Sequence, residues 1–396
     1  MPKLKLKKSL KRSEIYRITI FMVMVLIIIS IAYVGYLKSN NTISSDISVS
    51  DLFKKFFSFN SNNEVKLKTI VFKNKDLKSL DVGENYLYKV TKENIEIYDK
   101  SGSNVNSFDI NMNNPVVKAN GEYAVVVNLE GSEIIYLKNA KIVNDIKTKK
   151  NIVNFSLNEK GYVLYLDEAK EYRTATNLLD PNGTEIFDKG KGEQFIIDAK
   201  ISPKSDFVIM SVIDTSGVYA NTNIEYIDST VNFGKVISST SKDDSIYSTI
   251  IPFEEGSAVI GSSELAYYNK ESTLKWEKTL NGRIQSVTPV NDSEFAISTN
   301  NSSNNMMDTN ESEIKMFNIK GKIVSNYKVL GSVKNIRSYK NKLLTYTSRD
   351  IYVNDDDGDN LWKKSLKEDI IDVYFLYEDR IAVVDREKIE IYKISL

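Results

Sequence analysis

The chain has 396 residues, with 53 basic and 53 acidic side chains and neither Cys nor His. Those two absences exclude disulfides, thiolate nucleophiles, thiolate metal sites and the usual imidazole base. Beyond residue 38 the balance is 45 bases against 52 acids, a mildly acidic body that argues against nucleic acid as a partner.

Residues 1–17 form a basic tail with Lys3, Lys5, Lys7, Lys8, Lys11, Arg12 and Arg17. Ile18 to Leu37 is apolar and uncharged, long enough as a helix to span a bilayer. The basic tail places the N-terminus in the cytoplasm and everything after Leu37 outside, a single-pass arrangement. The same run also fits a cleaved signal peptide, with Ser30-Ile31-Ala32 as a small-x-small site, but it continues well past Ala32. Residues 38–66 read as a linker. Within it Leu52, Phe53, Phe56 and Phe57 share one face of a short helix with Ser50 as N-cap. Packing on the folded domain is its simpler use, and lying on the outer leaflet the alternative.

From residue 67 to 396 the pattern is all-β. Asn94 to Gly102 (NIEIYDKSG) reads as a half-buried strand followed by a tight turn. Its counterparts end at Tyr136, Tyr172, Tyr226, Tyr268, Phe317, Tyr352 and Tyr392. From Tyr98 to Tyr392 the mean spacing is about 42 residues, the size of a four-stranded propeller blade. The last unit lacks a fourth strand, while Lys68 to Phe72 is a strand without a unit. The expectation is an eight-bladed β-propeller closed by strand 68–72 pairing into the last blade. Seven blades is the alternative if the divergent unit around Tyr172 is misread.

Two units place a Trp after the third strand: Ser272-x-x-x-Trp276 and Gly358-x-x-x-Trp362. The second resembles the Gly-x-x-x-Trp docking motif of quinoprotein-like propeller repeats, which implies a Trp packed between blades. The layout of anchor, linker and repeats also resembles an uncharacterised clostridial family of single-pass, membrane-anchored propellers, and implies no activity. Quinoprotein dehydrogenases carry a vicinal cysteine pair, which this chain lacks.

Chemical motifs are sparse. Asp355-Asp356-Asp357-Gly358-Asp359 is the densest acidic cluster, but an EF-hand register puts Val353 and Lys364 at the first and last ligand positions. The reading is a solvated turn, with a looser calcium loop as the alternative. Gly190-Lys191-Gly192 reads as a hairpin turn, with no phosphate-loop pattern around it. Thr299 to Asn305 reads as a surface loop. No catalytic, cofactor-binding or metal-binding residue is assigned, and no cofactor. The expected function is a non-enzymatic binding or scaffolding module in the cell envelope with a protein, peptide or glycan partner. The alternative is a carboxylate-dependent glycosidase or lyase working at the central channel.

Overall fold

A computed structural model describes residues 64–73, 76–168, 174–192, 194–217, 220–300 and 311–396. The basic tail, the apolar run 18–37, the expected short helix around Phe56, Tyr172 and residues 301–305 lie outside that set. Among the described residues, 32 strands form eight four-stranded antiparallel sheets. Blades 1 to 7 use consecutive strands over residues 79–109, 115–147, 152–191, 195–243, 249–279, 283–330 and 335–365. Blade 8 takes three strands from residues 372–393, and its outer strand is Val65–Val71.

The closing strand pairs antiparallel with Lys388–Lys393, from Val65 opposite Lys393 to Val71 opposite Lys388. It begins three residues before the expected Lys68, so the linker ends short of residue 66. Phe72 lies past the strand and donates its N–H to the Glu387 carbonyl. Ile70 and Phe72 are buried against Leu87, Tyr98 and Ile391, which seals blade 8 to blade 1.

Eight apolar clusters each straddle one seam between neighbouring blades. The middle strands of every blade are therefore covered on both faces, which explains mostly apolar, almost wholly buried runs such as Tyr123–Asn128 and Gly256–Ile260. The strand Asn94–Asp99 is correspondingly not half-buried. Ile95 and Ile97 pack forward on Val117 and Val126 of blade 2, and Tyr98 packs backward on blade 8.

Blade 3 also departs from expectation. Its third strand is Thr174–Leu179, and Leu179-Asp180-Pro181-Asn182-Gly183 occupies the place of Tyr98-Asp99-Lys100-Ser101-Gly102. The repeated aromatic is here a leucine, not Tyr172. Gly190 and Lys191 are not a turn either: they pair with Ala175 and Thr174 inside the fourth strand.

The turn from third to fourth strand is the repeating joint. It holds a left-handed residue in all seven continuous blades, such as Gly321 at φ 80° and Ser272 at φ 56°. The side chain four residues later reaches the same turn of the next blade. Asn106 Nδ2 donates to the Ala140 carbonyl at 3.0 Å, and Trp276 Nε1 donates to the Ile319 carbonyl at 2.8 Å. A Cβ on Gly321 would lie 2.8 Å from the Trp276 indole, so that position must stay bare. The Trp packing implied by the quinoprotein-like motif is thus one case of a rule that Asn and Ser also follow.

Candidate functional site

Two regions of the ring concentrate polar chemistry. The first is an arc of charge on the inner strands of blades 7, 8, 1, 2 and 4. Arg337 Nη2 lies 3.0 Å from both carboxylate oxygens of Asp372, and its Nε donates to the Val373 carbonyl at 2.9 Å. The Tyr346 hydroxyl donates to Asp372 Oδ1 at 2.6 Å, and the Arg337 guanidinium stacks 3.9 Å over the Tyr374 ring. Tyr374 Oη lies 2.7 Å from Asp372 Oδ2 and 2.8 Å from the Leu80 carbonyl oxygen. Charge-assisted contacts of this kind are among the stronger polar links in a protein.

The arc continues through Asp81 and Lys118. Asp81 accepts the Ala119 N–H at 2.8 Å and the Val82 N–H at 2.9 Å. Burial nonetheless raises its carboxyl above the ordinary aspartate range, with Arg337 and Lys118 opposing the shift. Lys118 donates to the Phe155 carbonyl of blade 3 and lies 4.6 Å from the Phe155 ring centroid. Burial, helped by nearby Lys200, pushes its ammonium down to about 8. Asp198 pairs with Lys200 at 2.5 Å and accepts the Ile250 N–H of blade 5 at 2.9 Å. An inner strand has no strand on its channel side, so side chains of the neighbouring blade satisfy its backbone.

The second region lies at the seam of blades 5 and 6, on the face formed by the connections between blades and by the second-to-third-strand loops. There a polar cleft of about 600 Å³ is lined by the connection Asp244–Thr249, the loop around Ser262, and Arg283 to Val287. Its walls are fixed. Thr222 Oγ1 donates to the Ser245 carbonyl at 2.6 Å, and Ser211 Oγ to the Tyr247 carbonyl at 2.5 Å. The Ile284 N–H donates to the Ser262 carbonyl at 2.8 Å. A Cβ on Gly261 would lie 2.8 Å from the Ile246 carbonyl oxygen, so only glycine lets the two loops approach this closely.

The cleft's functional groups are less constrained than its walls. Glu264 accepts from Ser245 Oγ at 2.9 Å. Arg283 and Gln285 are exposed. Arg283 makes no ion pair with a described residue. Ile246, half exposed, with Ile284 and Val287 adds an aliphatic strip. Cation, carboxylates, hydroxyls, amide and aliphatic carbon in one rigid cleft suit a ligand with backbone-like polarity and small apolar side chains.

The acidic turn at Asp355–Asp359 repeats the joint described above. Asp355 Oδ1 accepts the Asp359 N–H at 2.7 Å, as Asp99 Oδ1 accepts those of Ser101 and Ser103 in blade 1. Among the described residues no three acidic side chains gather to hold a metal ion. The channel acids Asp81, Asp198 and Asp372 carried no local sequence signal, because each comes from a different blade.

Together the eight sheets, their strand order and the closing strand define a β-propeller. The chain belongs to DUF5711, a family of unknown function, which it matches over residues 55–394. No curated protein matches it in sequence. Its fold is similar to that of Sqt1 of Saccharomyces cerevisiae, with a TM-score of 0.61 and 10% identity over 85% of this chain and 100% of that one. The C-terminal WD40 domain of Sif2 gives 0.60 with 12% identity over 85% and 100%. BamB of Moraxella catarrhalis gives 0.53 with 10% identity over 84% and 100%. At these identities the likeness concerns the fold alone. No helix among the described residues is long and apolar enough to cross a membrane.

Proposed function

We propose that this protein is a single-pass membrane protein whose propeller serves outside the cytoplasm as a non-enzymatic binding or scaffolding module. Its partner, a protein or peptide segment, engages the cleft between blades 5 and 6. One observation carries this reading: the channel charges are spent on holding blades together, whereas the cleft offers rigid walls and an Arg283 without a described ionic partner. A glycosidase would need a carboxylate pair free to donate and accept protons, and Asp81, Asp198 and Asp372 are all engaged. The anchor rests on the run Ile18 to Leu37 and its basic flank.

The test is photo-crosslinking in intact cells from a reactive amino acid replacing Gln285, with the same group at Val71 as control. A discrete adduct from position 285 alone supports the cleft. Equal labelling from both positions, or none from 285, contradicts it.

A further inference from the structure

The outer strand of each blade breaks register once, in blades 1 to 7 directly after the third-to-fourth turn. Each break leaves one bulged residue out of the ladder: Val105, Val143, Ile237 and Val324 in blades 1, 2, 4 and 6, and Leu67 in the closing strand. Ile186 and Leu361 fill the position in blades 3 and 7, and only blade 5 differs, with Lys275. Val143 and Ile237 are 52% and 50% exposed, as open as many surface polar residues. Outer strands ordinarily protect this position with charge rather than aliphatic carbon.

In blades 2, 4 and 6 the local sequence is the same. A left-handed residue is followed by an exposed lysine and two exposed aliphatics: Ala140-Lys141-Ile142-Val143, Gly234-Lys235-Val236-Ile237 and Gly321-Lys322-Ile323-Val324. None of the three lysines forms an ion pair with a described residue. Blade 4 adds more. Its turn is lengthened and presents Val231 at 80% and Phe233 at 55% exposure. Asp228 fixes that loop by accepting the N–H groups of Thr230 at 2.7 Å and Val231 at 3.2 Å. The ordering is therefore already in place before anything binds.

We propose that this edge of the ring meets the surface of a lipid bilayer, the three lysines facing headgroups and the paired aliphatics entering the interface. The inference rests on the membrane-anchor reading above. The bulges stand at one register in all eight sheets, so they share a plane at one edge of the ring. A protein partner would cover a few adjacent blades, whereas a flat surface reaches the alternating blades 2, 4 and 6 together. Lysine beside exposed aliphatic and aromatic carbon is interfacial chemistry. Blades 3 and 7 carry Glu185 and Asp359 near the corresponding position, and in blade 8 Lys66 pairs with Glu390, so the contact runs through blades 2, 4 and 6.

The absence of cysteine makes the test direct. Single variants Val143→Cys, Ile237→Cys and Val324→Cys receive an environment-sensitive fluorophore in the full chain, with Leu330→Cys at the far end of the blade 6 outer strand as control. The chain is reconstituted in vesicles of phosphatidylglycerol and phosphatidylcholine and floated. The expected result is blue-shifted emission at 143, 237 and 324, quenched by brominated lipid, with 330 unchanged. The triple variant Lys141→Glu/Lys235→Glu/Lys322→Glu should keep the melting profile and lose the shift. A chain that floats with all four probes equally aqueous overturns the rim contact alone. A shift that needs only higher protein concentration, without vesicles, overturns it in favour of self-association. A chain that does not float contradicts the anchor itself.

Discussion

Seams 7–8 and 5–6 of the ring are built in opposite ways. Seam 7–8 is locked from within: Arg337 grips Asp372, and Tyr346 and Tyr374 close around the pair. On its outer side Trp362 is buried, yet its Nε1 finds no acceptor. Blade 8 is closed by an incoming strand and has no third-to-fourth turn to offer one. Seam 5–6 reverses this. Trp276 locks the outside, bonded to Ile319 and stacked on Phe295 and Phe317, while the face with the inter-blade connections opens as the cleft. A propeller that must be closed and yet bind something can divide those tasks between seams.

The largest effect expected on this contrast comes from the closing strand. Deleting residues 65–71 exposes Tyr98, Leu87 and Ile391 and removes Ile70, a loss on the order of 5 kcal/mol that should abolish a single cooperative melt by circular dichroism. Next is Asp372→Ala, which strands the Arg337 guanidinium in the channel and should cost about 2–3 kcal/mol in chemical denaturation. The paired indoles are a finer probe. Trp276→Phe loses a made hydrogen bond, about 1 kcal/mol, whereas Trp362→Phe loses none and should fall within about 0.5 kcal/mol of the parent. Equal costs for the two would break the contrast.

The smallest effect is a pH trend. Lys118 loses its proton at about 8 in the folded ring and at about 10.5 when unfolded, so between those values the unfolded chain binds more protons. The Lys118 contribution therefore makes stability rise with pH across that window. Lys118→Met should remove that rise in denaturant midpoints taken between pH 8 and 10, and an unchanged slope would show that the amine is not desolvated.

Much of the ring was legible because its period is carried by covalent spacing. Tyr98, Tyr268 and Phe317 recur where a side chain must fill the seam behind the blade, whereas Tyr136 and Tyr226 stand one residue earlier and fill the seam ahead, and a missing fourth strand at the C-terminal end pointed to the spare one at the N-terminal end. Blade 3 was misplaced because Leu179 fills that seam without an aromatic ring. The bulges were hidden in adjacent aliphatics such as Ile142-Val143, which read as a lapse in alternation until the register break showed that Val143 stands outside the ladder. The site was not legible at all. The cleft's walls come from a connection, a loop and the inner strand of the next blade, and the channel acids from separate blades, so only folding brings them together.

The account turns on the claim that seam 5–6 is open for binding rather than poorly packed. Arg283→Ala tests it when melting and the cellular adduct from position 285 are measured on the same variant. The prediction is a melting midpoint unchanged from the parent and an adduct lost. A lowered midpoint, or an adduct that survives, would contradict it.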